Sequence, residues 1–510
     1  MPSRTTRTLV VATSAALAIG ALAGCSSLGH VDTPVATLTT PTGSAPTDAG
    51  KKAAAGTITV ADQSGPADRA AALSRALFAS APGFVLVPDS TGATTSEQQD
   101  TAKTAANAAA RLHVPVLVAD AGQTTEREAK RLGATWYVPV DDAHDDVHAE
   151  RMRLSDAPDV PEPHRPSSPA VVVTTDDPAD AAIRGTVDAA GATAVELPGG
   201  TSSVADAPHV IDDLRSARHG ATVLLGERFA DDPDPDYSVR AARTGWQLPG
   251  GGQRPFDGHR YVALYGVPGT PVLGALGEQD PAASVQRVQA LADQYTPLSD
   301  EPVVPSLEII ATVAAGAPGD DGNYSNELPV DRLEPYVDAA TEAHMPVILD
   351  LQPGRSDFLS QAKQYASLLE RPGVGLALDP EWRLGPDQVP LKQIGSVSAD
   401  EVNRTAAWLA DLVDRNDLPP KMFVLHEFRA AMLQDPAAID VDLPQLDPLV
   451  HVDGQGAQPD KQATWNALHQ GAPKGVAWGW KNFFDEDAPM LTPEQTMQQV
   501  SPTPDLITYQ

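Results

Sequence analysis

Four short apolar segments in the second half of the chain carry an ionisable residue in the same phase. In Val347-Ile-Leu-Asp-Leu351, Ile348 and Asp350 share one side of a strand, and Val347, Leu349 and Leu351 share the other. Gly375, Ala377 and Asp379 likewise oppose Leu376 and Leu378, and Val424 and His426 oppose Phe423 and Leu425. His451 and Asp453 oppose Val450 and Val452. The large aliphatics suit a covering helix layer, which leaves each polar residue facing inward near the end of its strand. Glu308, Glu381, Glu427 and Gln455 add oxygen ligands nearby, and Tyr265, Trp382, Trp478 and Trp480 add rings. Two carboxylates in such a cup can divide acid–base work, one kept protonated by burial and the other ionised as nucleophile or base. Carboxylates beside indoles suit a sugar, whose hydroxyls take hydrogen bonds while its CH face lies on a ring. On this pattern Glu381 or Asp379 is the expected acid and Asp453 or Asp350 the opposing group. Glu308, His426, His451, Gln455, Trp382, Trp478, Trp480 and Tyr265 are the expected substrate contacts.

Plainer roles are open to the same residues. Asp350 and Asp379 can cap the loops that follow their strands. Glu308 can serve an ion pair, His426 and His451 can be satisfied core residues, and Trp408 and Trp465 fall within helical stretches, where packing is their expected use. Trp478 and Trp480 share one strand face. Lys481 can pair with a carboxylate or meet an anionic substrate. His426, His451, Asp453 and Asp379 also offer donors suited to Zn²⁺ or Mn²⁺, the basis of a metal-dependent hydrolase alternative. No His-x-His, His-Glu-x-x-His, nucleophilic-serine or phosphate-loop motif occurs, and no cofactor is expected.

Stepping outward, apolar segments at 261–265, 307–312, 346–351, 374–378, 421–426, 449–453, 475–480 and 505–509 read as eight strands. Most are separated by helical stretches: 282–294, 329–344, 355–369, 399–415, a short one at 430–435, and 461–468. Eight such units over about 260 residues predict a (β/α)₈ TIM-like barrel for 249–510, with an open doubly wound sheet as the alternative. Residues 57–248 alternate apolar runs with Ala-rich helical segments, which predicts a doubly wound parallel-sheet region. The Asp231–Asp236 acidic run and Pro249–Gly252 are read as solvated connectors at the transition; the acidic run lacks the ligand spacing of a calcium loop.

The first residues predict export. Arg4 and Arg7 precede an uncharged run from Leu9 to Leu22, about 14 residues and too short to span a bilayer comfortably. Leu22-Ala-Gly-Cys25 resembles the bacterial lipobox, which implies cleavage after residue 24, lipidation of Cys25 and tethering to the outer face of the membrane. Cys25 is the only cysteine, so no intrachain disulfide is available. Residues 25–56, rich in Thr, Ser, Pro, Ala and Gly, are read as a flexible tether. A net charge of −32 argues against nucleic-acid binding and a polybasic membrane role.

Glu126 to Val140 and Val187 to Gly200, each "helix, Leu/Ala-Gly-Ala, strand", resemble the cell-wall-binding repeat of Gram-positive surface proteins. The Asp68-Arg69 pair matches that family's start, but the aromatic expected after it is missing, and the first copy ends in Asp141-Asp142 where the family has two glycines. The resemblance implies a wall-polymer partner and supports a non-catalytic binding or scaffold alternative. Leu378-Asp-Pro-Glu-Trp-Arg383 resembles the fourth-strand carboxylate motif of glycosidase barrels. Residues 260–510, including His451 to Gly456 and Trp478 to Asp485, resemble a domain of actinobacterial lipoproteins. The combined expectation is a membrane-anchored extracellular lipoprotein whose barrel acts on or binds envelope or extracellular polysaccharide.

Overall fold

The structure is a computed structural model; it describes residues 35–39, 57–59, 65–89, 94–121, 123–164, 168–217 and 220–510. The export signal, Cys25 and most of the expected tether lie outside the described residues. Within the tether range, Thr37–Leu38 pairs antiparallel with Phe78–Ser80, and Ala36 and Leu38 are buried, so this short piece is docked. Among the described residues no helix is long and apolar enough to cross a membrane.

Eight parallel strands close on themselves: β1 (Arg260–Gly266), β2 (Val303–Ala314), β3 (Val347–Leu351), β4 (Val374–Leu378), β5 (Lys421–His426), β6 (Leu446–Val452), β7 (Ala477–Asn482) and β8 (Leu506–Tyr509). Each pairs with the next, and β1 pairs with both β2 and β8, which removes every open edge of the cylinder. The expected barrel is therefore present. The alternation of side chains sorts its residues into two cores. Leu349, Leu351, Leu376, Leu378, Phe423 and Leu425 point outward into a core shared with the helices. Tyr261, Ala263, Val304, Ile348, Ala377, Met422, Val424, Leu449 and Leu506 fill the lower interior, so the cylinder is packed and the site lies on top of this plug.

Helices Pro281–Tyr295, Val330–Glu342, Ala399–Arg415 and Gln458–Leu468 match the helical spacing in the sequence. The stretch 355–369 is broken into Phe358–Ala362, a tight turn and Ala366–Leu369. The short helix expected at 430–435 does not form. Leu433–Gln434 instead pairs with Val397–Ser398, and Asp435 adopts φ 52° before Pro436, a conformation that no helix continues. A helix at Pro493–Gln499 precedes β8.

The first half holds two four-stranded parallel sheets, where the sequence suggested one region. One runs Thr57–Thr59, Thr222–Leu225, Val171–Thr174, Thr193–Glu196. The other runs Val116–Val118, Gly83–Val87, Trp136–Pro139, Glu150–Arg151. Both repeat-like segments are a helix ended by a glycine and followed by a strand: Gly133 at φ 73° and Gly191 at φ 63° take the left-handed conformation that closes the helix. Arg69 of the Asp-Arg pair is buried and bonds Asp180 at 2.7 Å and Glu227 at 3.0 Å, a structural role. The acidic run read as a connector supplies a cap: Asp234 accepts from the Tyr237 amide to start helix Pro235–Arg243. Tyr237 and Ala241 of that helix pack into the outer barrel core, and the Tyr237 hydroxyl donates to the Leu418 carbonyl at 3.0 Å.

Candidate active site

The strand parity read from the sequence places Asp350, Asp379, His426 and Asp453 at one end of the cylinder, where Glu308 and His451 join them. Their side chains meet above the apolar plug. His426 is wholly buried and bridges two carboxylates, with Nε2 2.8 Å from Glu308 Oε1 and Nδ1 2.9 Å from Asp453 Oδ2. A carboxylate on each ring nitrogen holds both as N–H donors, so the imidazole is cationic: its pKa is raised well above the usual value despite the opposing cost of burial. Against their own desolvation, Glu308 is held below the ordinary carboxylate range by His451 and His426, and Asp453 by its hydrogen bond to His426. His451 lies beneath, its Nε2 2.9 Å from the Thr508 hydroxyl and its pKa lowered chiefly by burial.

Around this ionised chain stand carboxyls pushed the other way. Asp350 is buried, accepts from the Tyr265 hydroxyl at 2.8 Å, and is raised to about 6, first by burial. Asp379 is raised well above its ordinary value by burial and then by the charge of Asp350. Its Oδ1 accepts from the Glu381 amide at 3.2 Å, so it also caps the turn Pro380–Trp382, as its position at a strand end allowed. Glu381 is raised to about 7 by burial and by the nearby charge of Asp453. Glu427 is also raised to about 7 by burial and Asp453, but it sits on the opposite parity to His426 and does not line the open space.

That space is a cleft of about 700 Å³ over the C-terminal ends of the strands. Tyr265, Asp379, Glu381, Trp382, Asp453 and Gln455 line it, which brings these expected contacts together. Asp350, Glu308, His426 and His451 lie below its surface. Trp478 and Trp480 are not brought to the cleft. Trp480 is buried against Trp465 in the helix layer, and Trp478 stacks on His469 at 3.4 Å between ring centroids. Their shared face is the outer one because Gly479 and Lys481 occupy the inner one. Gln352 and Phe428 line the cleft and were missed; each lies two residues beyond an inward-facing group, Asp350 and His426, so the same parity extended past the strand finds them.

The metal alternative needs His426, His451, Asp453 and Asp379 around one point. The grouping that the described residues do offer is Glu308, His426 and His451, with ligand atoms within 4.8 Å of one another. In this arrangement His426 holds a carboxylate on each ring nitrogen, so the set forms a hydrogen-bonded ion chain.

No family model matches this chain, and no curated protein does. Among solved structures it aligns with Cwp6 from Clostridium difficile at 11% identity and a TM-score of 0.28, over 62% of this chain and just under two thirds, 66%, of that one. At that score the alignment carries no argument about function.

Proposed function

We propose that this protein is a lipid-anchored extracellular glycoside hydrolase acting on envelope or other extracellular polysaccharide, with Glu381 as proton donor and Asp453 as the opposing carboxylate. One observation carries the reading: a single cleft holds Glu381 near pKa 7, raised by burial and the charge of Asp453, beside an Asp453 kept ionised by His426. Carboxyls driven apart in this way are what an acid and a nucleophile or base require. Glu381 protonates the glycosidic oxygen as its bond to the anomeric carbon breaks. Asp453, held in place by His426, faces the positive charge that develops there and either attacks that carbon or activates water. The Asp453 oxygen that His426 leaves free, Oδ1, has no hydrogen-bond partner. Trp382 and Phe428 offer ring faces to the sugar. The lipid anchor on Cys25 and the outer-face location rest on the residues of the N-terminus alone.

The test is release of new reducing ends from a panel of bacterial envelope and extracellular glycans. Activity is expected on at least one, with Glu381→Gln and Asp453→Asn each losing about 10²–10⁴-fold while remaining folded. No release from any glycan, or full activity in both variants, contradicts the assignment.

A further inference from the structure

Lys481 projects inward from β7 and is 2% exposed. Its ammonium stands 3.3 Å from the centroid of the Tyr265 ring and 5.3 Å from that of Phe483. It makes no hydrogen bond or ion pair with any described residue, so the plain salt bridge expected from the sequence is not formed. The carboxylates around it are each held by another group through one oxygen, Asp453 Oδ2 by His426 and Asp350 Oδ2 by Tyr265, and their second oxygens, Oδ1, take no hydrogen bond from it. An ammonium has three N–H donors, and a ring face satisfies only one direction. A charge this deep without an acceptor is costly, and the cleft that Lys481 lines is where its remaining donors are free to find one.

We infer that the cleft floor is an acid-recognising subsite, in which Lys481 binds the carboxylate of an acidic sugar of the uronic-acid class. A single ammonium matches a monoanion. A phosphate monoester would bring close to two negative charges beside the ionised Asp453 and leave one unbalanced. The acids elsewhere on the cleft lining, Asp460 and Glu486, are exposed. Their repulsion is screened by salt over about 8 Å, whereas Lys481 is 2% exposed at the cleft floor. Arg429 adds a second, exposed cation at the lining. The inference rests on the glycan reading of this cleft, and its test separates the two.

Isothermal titration of the full chain with a glucuronate-containing disaccharide and with its carboxyl-reduced neutral counterpart decides the matter. The acidic sugar is expected to bind at least about tenfold tighter. Lys481→Met should abolish that preference and Lys481→Arg should keep part of it, with thermal melting used to confirm that both are folded. Equal binding of the two sugars by the natural protein, or binding of neither, overturns the subsite, as does a preference that survives in Lys481→Met. Equal binding leaves the glycan reading standing. Preferential uronate binding without bond cleavage on the glycan panel leaves the subsite standing and removes the hydrolase.

Discussion

At the scale of single residues the site depends on His426, a buried cation between two buried anions. Removing it leaves Glu308 facing only His451, whose Nδ1 stands 3.8 Å away, and leaves Asp453 without its ion-pair partner, and breaking a buried pair in this way costs about 3–5 kcal/mol. His426→Ala is therefore expected to lower the stability measured by urea unfolding at pH 7 by that amount; a loss below about 1 kcal/mol would contradict the ion chain. The pH dependence has a definite sign. The pKa of His426 is raised on folding, so its stabilisation is complete below the unfolded value and is lost as pH rises through the folded one. Glu308 and Asp453 are depressed, so theirs is present above the ordinary carboxylate range and lost on acidification. The penalty of His426→Ala should accordingly be greatest between the ordinary carboxylate range and about pH 6.5. Candidate residues were legible at this scale because polar side chains interrupt aliphatic strands. Their protonation states were not, since those follow from burial and from contacts such as Glu308 to His426 that lie 118 positions apart.

At the scale of elements, the positions of the strands were legible because each barrel strand is a compact apolar run, from Val374–Leu378 to Lys421–His426. Which face turns inward was harder wherever both faces are large or both small. On β7 the two tryptophans suggested a binding surface, yet the interior takes Gly479 because the neighbouring β6 fills that space with His451. A Cβ on Gly479 would stand 2.7 Å from His451 Cδ2 and 3.0 Å from Leu449 Cδ2. Gly479→Ala is thus expected to displace the His451 ring and to cost about 1–3 kcal/mol of stability, read from urea unfolding. Unchanged stability would mean that β7 does not pack as described. The failed helix at 430–435 shows the complementary limit: Ala-rich composition favours a helix locally, but pairing of Leu433–Gln434 with Val397–Ser398 overrides it.

At the scale of the whole molecule, two architectures share one chain, and helix Pro235–Arg243 ties them together. Arg240 pairs with Asp414 and Asp417, and Tyr237 reaches the Leu418 carbonyl, so the barrel is buttressed on the side away from its cleft by residues that precede it. None of this was legible, because the Asp231–Asp236 run reads as a solvated connector until its partners are seen. The chain carries a net charge of −32, while the cleft sets its ionised acids against the His426 imidazolium and the cations Lys461, Lys481 and Arg429 on its lining. A Glu381 that stays protonated near neutrality opposite an ionised Asp453 is the central requirement of the proposed chemistry. Carbon-13 NMR titration of the glutamate side-chain carboxyls, with the Glu381 signal assigned by its loss in Glu381→Gln, measures this directly. A midpoint near 7 that falls in Asp453→Asn is the expected result, and titration of Glu381 in the ordinary range around 4.5, unaffected by Asp453→Asn, would contradict it.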